Sequence, residues 1–191
     1  MSSLIIHDWP LPYVDRLEPR PLDAVDLVVI HCTELPDLDM ARAYGERVRY
    51  PSGTGNSGHY YVDRDGRIHR FVPDDRVAHH VRAHNAHAIG IEMVNTGRYP
   101  HWLDHRHQQM AEAYPDAQIE NLCALLDEMA ARLPDLHWIA GHEDLDTERV
   151  EASDDPSMQV PRKRDPGPLF PWQHVLSRTR LQRLMPDTAS A

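Results

Sequence analysis

The stretch Val25-Asp26-Leu27-Val28-Val29-Ile30-His31 is a short, nearly continuous apolar run that is rich in β-branched residues. Such a run is typical of a strand buried on both faces of a sheet, because an exposed face would show polar residues at alternate positions. We therefore predict a central strand here. His31 falls at the carboxyl end of this strand, where open sheets commonly place ligands.

Two further apolar segments predict strands that carry polar side chains of interest. One is Ala88-Ile89-Gly90-Ile91-Glu92-Met93-Val94-Asn95, and the other is His137-Trp138-Ile139-Ala140-Gly141-His142, whose final histidine falls just past the strand. A carboxylate within a core-like strand must be paired, bound to a ligand or functional. Glu92 is therefore a candidate functional residue.

Turn residues and helical periodicity fill in the rest of the fold. Asp65-Gly66 lies between residues 59–63 and 67–72 and predicts a hairpin. Helices are expected at 38–48 after a cap at Asp37, at 115–133 and at 172–185, the second with apolar residues at three- and four-residue spacing. Together these elements predict the α/β class: a single domain with a mixed central β-sheet flanked by helices.

The expected organisation has three parts. Residues 1–24 are rich in proline and predict an irregular arm, residues 25–185 form the domain, and residues 186–191 are expected to be a disordered tail. Within the domain, residues 143–160 are acidic and are interpreted as an irregular insertion. The glycine-rich segment 52–58 lacks the ending of a phosphate-binding loop and is interpreted as a loop that borders a cleft.

Composition argues against polyanionic partners. The chain has 191 residues, 14 of them histidine, and a formal net charge of −10 without a dense block of lysine and arginine. Nucleic acids and anionic membranes require a basic face, so we expect neither as a partner. No window approaches the length of a membrane span. We expect a monomer.

The two cysteines, Cys32 and Cys123, are too few for a disulfide framework and lie in apolar segments, so we interpret them as buried free thiols. The first nine residues contain neither a basic region nor a long apolar stretch and do not resemble a signal peptide. Free thiols and the lack of an export signal favour a cytoplasmic location.

The proline-rich stretch from Arg162 to Trp172 predicts a rigid loop that holds Asp165 in place. Asp165, His31 and His142 come from three separate segments, and two imidazoles with one carboxylate make a three-ligand zinc set with the fourth position open. This pattern is typical of catalytic rather than structural zinc, since structural sites are usually closed by four protein ligands.

Two more side chains complete a possible hydrolytic site. Glu92 could act as a base with a raised pKa, and Lys163 could place positive charge beside an oxyanion. Such parts would make a metal-assisted amide hydrolase. Taken singly, each residue has a simpler interpretation: a structural histidine, an Asp165 that caps a turn, a Lys163 in a solvated basic triplet, and a Glu92 paired with an arginine.

Six motifs occur in an order that resembles the zinc N-acetylmuramoyl-L-alanine amidases, a family that includes cytosolic anhydro-muropeptide amidases, phage lysins and peptidoglycan recognition proteins. The resemblance covers roughly residues 25–176 and implies the amidase/peptidoglycan-recognition fold, with residues 25–185 as an amidase catalytic domain. The motifs are Val29-Ile30-His31-Cys32-Thr33, the hairpin 58–66, Ala78-His79-His80, Ile89-Gly90-Ile91-Glu92, Ala140-Gly141-His142 and Lys163-Arg164-Asp165-Pro166-Gly167-Pro168.

The resemblance also implies a role for each matching residue. It implies zinc as the cofactor and hydrolysis of the amide bond between N-acetylmuramic acid and L-alanine, in peptidoglycan or soluble muropeptides. The implied roles are zinc ligands for His31, His142 and Asp165, catalysis for Glu92 and Lys163, and a substrate contact for His80.

The chain departs from the family pattern at two positions within the motifs, and the insertion 143–160 separates His142 from Asp165 by more than in compact members. His79 precedes His80 where many members have tryptophan, and Gly58 stands where some lysins place a catalytic tyrosine. The second departure favours a mechanism based on Glu92.

Several alternatives stay open at this point. The domain could bind peptidoglycan without cleaving it, or it could be a zinc hydrolase whose substrate is not the cell wall. It could also hold structural zinc closed by Cys32, although Cys32 should point to the other side of the strand from His31. A separate group, His101, His105 and His107, could chelate a metal through His101 and His105, or could simply be a polar surface near the cleft rim.

Overall fold

The structure is a computed structural model, and it describes residues 4–185 of the chain. Nine strands and four α-helices make up the fold. The strands are β1 Ile6–Asp8, β2 Leu27–Cys32, β3 Tyr60–Val62, β4 Ile68–Arg70, β5 Ala88–Met93, β6 Trp138–Gly141, β7 Arg149–Glu151, β8 Gln159–Pro161 and β9 Gln182–Arg183. The helices are α1 Leu38–Gly45, α2 Asp116–Arg132, α3 His142–Leu145 and α4 Trp172–Arg178.

Seven strands form one mixed sheet in the order β1-β4-β3-β5-β2-β6-β9. Every neighbouring pair is parallel except the β3–β4 hairpin. The predicted α/β domain with a mixed central sheet is thereby confirmed. All six residues of β2 are buried, as the continuous apolar run predicted, because the strand is covered on both faces of the sheet.

Helix α2 covers one face of the sheet. It begins after Pro115, whose fixed backbone suits a helix start, and the first residue, Asp116, places a negative charge at the positive end of the helix dipole. Leu122, Leu125 and Met129 are fully buried in the main apolar core. Helix α1 begins at its predicted cap, where the Asp37 carboxylate accepts the Met40 N–H at 2.7 Å.

Two predictions near the chain ends are corrected by the structure. The arm 1–24 was expected to be irregular, but its residues Ile6–Asp8 form edge strand β1, parallel to β4. The terminal helix was expected to reach residue 185, but it ends at Arg178, and the chain then forms β9 beside β6. In both cases hydrogen bonds to a distant strand decide the conformation, and local propensity does not report them. The predicted tail 186–191 lies outside the described residues.

Residues 143–160 are also more ordered than expected. Instead of an irregular insertion, they contain most of α3 and the antiparallel hairpin β7–β8, in which Val150 pairs with Val160. Helix α1 also ends earlier than predicted, at Gly45. The division of the chain at residue 25 stays a proposal.

No helix among residues 4–185 combines the length and apolar character that crossing a bilayer requires.

Candidate metal centre and active site

The sheet brings three functional segments to one edge. In the parallel register, His31 of β2 lies opposite Glu92 of β5, and Ile30 lies opposite Gly141 of β6. Because all three strands run in the same direction, their carboxyl ends meet, and His142 follows β6 directly as the first residue of α3. The predicted histidines and Glu92 therefore share one end of the sheet, at the place that the strand pattern indicated.

Asp165 reaches this edge from the proline-rich loop. Its backbone carbonyl accepts the Glu143 N–H at 2.9 Å, and the next carbonyl, of Pro166, accepts the Tyr114 hydroxyl at 2.7 Å. The Pro166 ring packs on Gly141, where an added Cβ would come within 2.9 Å of Pro166 Cδ. These contacts fix the loop against β6 and α3, as its proline content predicted.

The three predicted ligands converge on one point. Asp165 Oδ2 lies 2.9 Å from His31 Nδ1 and 3.1 Å from His142 Nδ1. All three side chains are buried. Residues 31, 142 and 165 are therefore a group that could hold a metal ion.

The charge state of the group suits a metal. Burial, followed by the neighbouring His142, lowers the pKa of His31 to about 4, so its imidazole is neutral at pH 7. Burial alone would raise the pKa of the Asp165 carboxyl, but His142 and His31 hold that pKa well below its usual range. A neutral imidazole and an ionised carboxylate are the forms that bind metals.

The residues present fit a zinc ion. Two donor atoms bound to tetrahedral zinc lie roughly 3.3 Å apart, from metal–ligand distances of about 2.0–2.1 Å, and the observed spacings are close to that value. A donor set of two imidazoles and one carboxylate is chemically suited to zinc.

His80 lies directly behind His31. Its Nδ1 is 3.0 Å from His31 Nε2, and the two rings meet edge to face. Burial, followed by the positive forms of His31 and His59, lowers the pKa of His80 well below its usual range, so its ring is neutral. His31 Nε2–H can then donate to His80 Nδ1, which leaves His31 Nδ1 with its lone pair facing Asp165. The predicted substrate contact for His80 stays a prediction.

Two glycines make room for the side chains of His80 and Glu92. A Cβ at Gly90 would lie 2.7 Å from the His80 ring, and a Cβ at Gly58 would lie 2.7 Å from Glu92 Cγ. Neither glycine has a positive φ angle, so the requirement is space rather than backbone conformation. The sequence analysis did not identify this role of Gly90, since a lone glycine within a strand gives no signal of which side chain approaches it.

Glu92 has the environment of a proton acceptor. Burial, followed by the negative charge of Asp165, raises the pKa of its carboxyl well above the usual range, although Lys163 opposes the shift. The simpler interpretation, in which Glu92 pairs with an arginine, is not supported by the nearby Arg98, because this side chain is paired with Glu34 at 2.7 Å. Sequence reasoning did not identify this buried pair, whose two residues line the cleft.

A cleft of about 590 Å³ opens over the centre. Ser57 and Asn56, from the glycine-rich loop, line it, which confirms that this loop borders a cleft. Arg82, Arg162 and Trp102 line other parts of the same wall. Facing this space are all the predicted functional residues, His31, His80, Glu92, His142, Lys163 and Asp165.

The cysteines do not take part in the centre. Cys32 is buried and free, as predicted, and it alternates to the opposite side of β2 from His31. Cys123 is free and packs within the main core. Neither thiol belongs to a group of potential metal ligands within residues 4–185, so zinc closed by Cys32 is not supported.

Comparison with known proteins agrees with this arrangement. The sequence profile of the N-acetylmuramoyl-L-alanine amidases matches residues 21–168. The chain belongs to the N-acetylmuramoyl-L-alanine amidase family, which confirms the resemblance drawn from the motifs.

Individual relatives are more distant. A protein of Enterobacter cloacae, the 1,6-anhydro-N-acetylmuramyl-L-alanine amidase AmpD, is 31% identical over 120 residues, which is 58% of this chain and 50% of that protein. AmpD of Escherichia coli K12 is 30% identical over 125 residues, covering 61% and 54%. The chain thus spans about half the length of the curated relatives it matches.

Solved structures show the same fold. The N-acetylmuramoyl-L-alanine amidase LysC from Clostridium intestinale superposes with a TM-score of 0.65 at 19% identity, covering 94% of this chain and 100% of LysC. The amidase AmiD from E. coli, solved with the substrate anhydro-N-acetylmuramic acid-L-Ala-D-γ-Glu-L-Lys, gives 0.58 at 25% identity, covering 83% and 58%.

Proposed function

We propose that this protein is a zinc-dependent amidase that hydrolyses the bond between N-acetylmuramic acid and L-alanine in peptidoglycan or its muropeptide fragments. The observation that supports this most directly is the convergence of His31, His142 and Asp165 beside Glu92 in an open cleft. Membership of the N-acetylmuramoyl-L-alanine amidase family indicates which amide bond is hydrolysed.

The proposed ligands of the zinc ion are His31 Nδ1, His142 Nδ1 and Asp165 Oδ2. When bound there, zinc supplies Lewis-acid polarisation of the amide carbonyl. The protein contributes the donor set, since the strand ends and the proline-rich loop bring all three atoms together.

Glu92 is the proposed proton carrier. Its raised pKa allows the carboxylate to accept a proton from the attacking water and, once protonated, to donate it to the leaving nitrogen of L-alanine. Lys163 lines the same cleft, and its proposed role is to place an ammonium near the oxygen that becomes negative in the tetrahedral transition state. Glu92 would therefore transfer the proton, and Lys163 would stabilise the negative charge that develops on the oxygen.

Soluble anhydro-muropeptides are the substrates to test first, because the curated relatives are named for the 1,6-anhydro sugar. A cytoplasmic location for the reaction remains the sequence-based proposal. The cleft is wide enough for a drug-sized segment, and sites of about 300–1,000 Å³ commonly bind ligands of that size.

The test is mass spectrometry of products after the zinc-loaded protein is incubated with soluble anhydro-muropeptide and, in parallel, with intact sacculi. We expect free stem peptide from the soluble substrate, and loss of this product in Glu92→Gln. Lys163→Ala should lower kcat by about 10²- to 10³-fold, the usual cost of removing an oxyanion donor. Arg164→Ala is the matched control, since Arg164 adjoins Lys163 but is not among the residues that line the cleft.

Each outcome has a defined meaning. Release of stem peptide from sacculi alone would assign a wall substrate instead of a soluble one. Bound zinc together with peptidoglycan binding, but without any cleavage, would replace the amidase by the recognition module that the sequence left as an alternative. A folded protein that binds no zinc would refute the proposed centre.

A further inference from the structure

A second group of potential metal ligands lies in the segment between β5 and α2. His101, Asp104 and His107 each offer one donor atom, and the three atoms lie within 4.8 Å of one another. The rings of His101 and His107 have centroids 4.5 Å apart with an interplanar angle of 30°. His107 Nδ1 lies 3.0 Å from Asp104 Oδ2.

The backbone explains why these three side chains meet. Successive hydrogen bonds join the N–H of residue 101 to the carbonyl of 98, that of 104 to 101, and that of 107 to 104, at 2.8, 3.0 and 3.1 Å. These bonds close three successive turns, of which only the last is the 3₁₀ turn His105–His107, and Asp104 between them is extended. The turns bring residues 101, 104 and 107 to one side of the segment. The pair His101 and His105, which their spacing of four favoured, is therefore not the pair that meets.

Asp104 is held in a fixed orientation. Its Oδ1 accepts the Arg106 N–H at 2.9 Å as the cap of the turn His105–His107. The other oxygen, Oδ2, faces the two imidazoles. The carboxylate is thus preorganised, and only the two exposed imidazoles have to be ordered when an ion binds.

The neighbouring His105 contacts Asp154 instead of the two other histidines. Its backbone N–H donates to Asp154 Oδ1 at 2.7 Å, and its ring Nδ1 lies 2.7 Å from Asp154 Oδ2. Arg106 Nε approaches the same oxygen at 3.2 Å. These contacts attach the loop of the β7–β8 hairpin to the segment. Because the Arg106 guanidinium already lies beside Asp154 Oδ2, where a cation would bind, Asp104, His105 and Asp154 are the weaker candidate group.

We propose that His101, Asp104 and His107 bind one divalent transition-metal ion of the zinc, nickel or copper type, at a site separate from the catalytic centre. Two imidazoles and a carboxylate favour these ions over calcium or magnesium, which prefer oxygen ligands. The site would stabilise the cleft wall, because Trp102 of the same segment lines the cleft and donates its indole N–H to the Glu34 carbonyl at 3.0 Å.

The test counts ions. Untagged, metal-free protein is titrated with Zn²⁺ at pH 8 and examined by native mass spectrometry and calorimetry. We expect two ions per wild-type chain and one in His107→Ala or His101→Ala. The ion at the catalytic centre should be retained in both variants, because His101 and His107 are exposed side chains outside that centre. His105→Ala is the matched control and should keep two ions.

Hydrogen exchange provides a second readout. Zn²⁺ should slow exchange of residues 101–107 in the wild type and leave it unchanged in His107→Ala. The count of two rests on the proposed catalytic centre. A single wild-type ion that is retained in His107→Ala would overturn the second site, whereas a single ion that is lost in His107→Ala would support the second site and refute the catalytic centre. A second ion that survives in His107→Ala, is lost in His105→Ala, or binds only at millimolar concentration would also overturn the proposal.

Discussion

Gly58→Ala offers a direct test of how Glu92 is positioned. The added Cβ would lie 2.7 Å from Glu92 Cγ and 3.1 Å from the Gly90 carbonyl oxygen, whereas an ordinary contact is 3.4 Å or longer. Glu92 Cγ must therefore move by about 0.7 Å, since it is more mobile than the strand backbone. A displacement of about 1 Å in a reacting group can lower a rate by about 10²-fold.

We expect kcat to fall between about tenfold and 100-fold, or about 1.4–2.7 kcal/mol of barrier, with zinc content unchanged. The assay is the rate of stem-peptide release at saturating substrate, with bound zinc and thermal stability measured on the same samples. Gly45→Ala is the matched control. Gly45 lines the same cleft, but its added Cβ would meet no atom closer than 3.4 Å, so kcat should not change.

A double-mutant cycle separates this effect from general damage. Glu92→Ala removes the atom that the new methyl group would meet, so adding Gly58→Ala to it should cost almost no further thermal stability. If Gly58→Ala lowered the melting temperature equally with and without the Glu92 side chain, the change would act through the backbone. Wild-type kcat in a folded, zinc-loaded Gly58→Ala protein would refute the positioning argument altogether.

Three further predictions concern the surroundings of the centre. Gly90→Ala should push the His80 ring away from His31 and weaken zinc affinity by about 10- to 100-fold in competition with a chelator, because outer partners orient metal-binding imidazoles. His59 is buried, and burial followed by the charge of Arg20 lowers its pKa to about 3. In the unfolded chain His59 binds a proton below about pH 6.5, whereas in the folded protein it stays neutral at pH 5. The free energy of unfolding therefore decreases as the pH falls, by about 2 kcal/mol at pH 5. Urea titrations at several pH values should show a smaller decrease for His59→Gln than for the wild type. Arg98→Ala should lower the free energy of unfolding by about 3–5 kcal/mol, since it leaves the buried Glu34 carboxylate unpaired, and thermal melts would contradict this if they coincided with those of the wild type.

The elements that the sequence predicted well are those whose signal is local. The buried strand around Val28, the Asp65-Gly66 hairpin and the α2 helix depend on apolar periodicity and turn chemistry, which neighbouring residues determine. The candidate metal ligands could also be predicted from the sequence, because strand-end histidines and a proline-rich loop have recognisable sequences. The strands β1 and β9 were not, since each is held by a partner far away in the chain.

The sequence by itself determined which chemical groups this protein has: imidazoles at strand ends, one carboxylate in a proline-rich loop, and an acid within an apolar strand. Only the tertiary structure decided which of them meet. His31 Nδ1 and His142 Nδ1 face one oxygen of Asp165, although Asp165 lies 134 positions from His31 and 23 from His142, because parallel strand ends and a packed loop share one edge of the sheet. The space at Gly58 and Gly90 depends likewise on side chains that approach from other strands and loops. Local propensity acts over a few residues, whereas such a centre is formed by contacts distant in sequence, and packing alone fixes their distances.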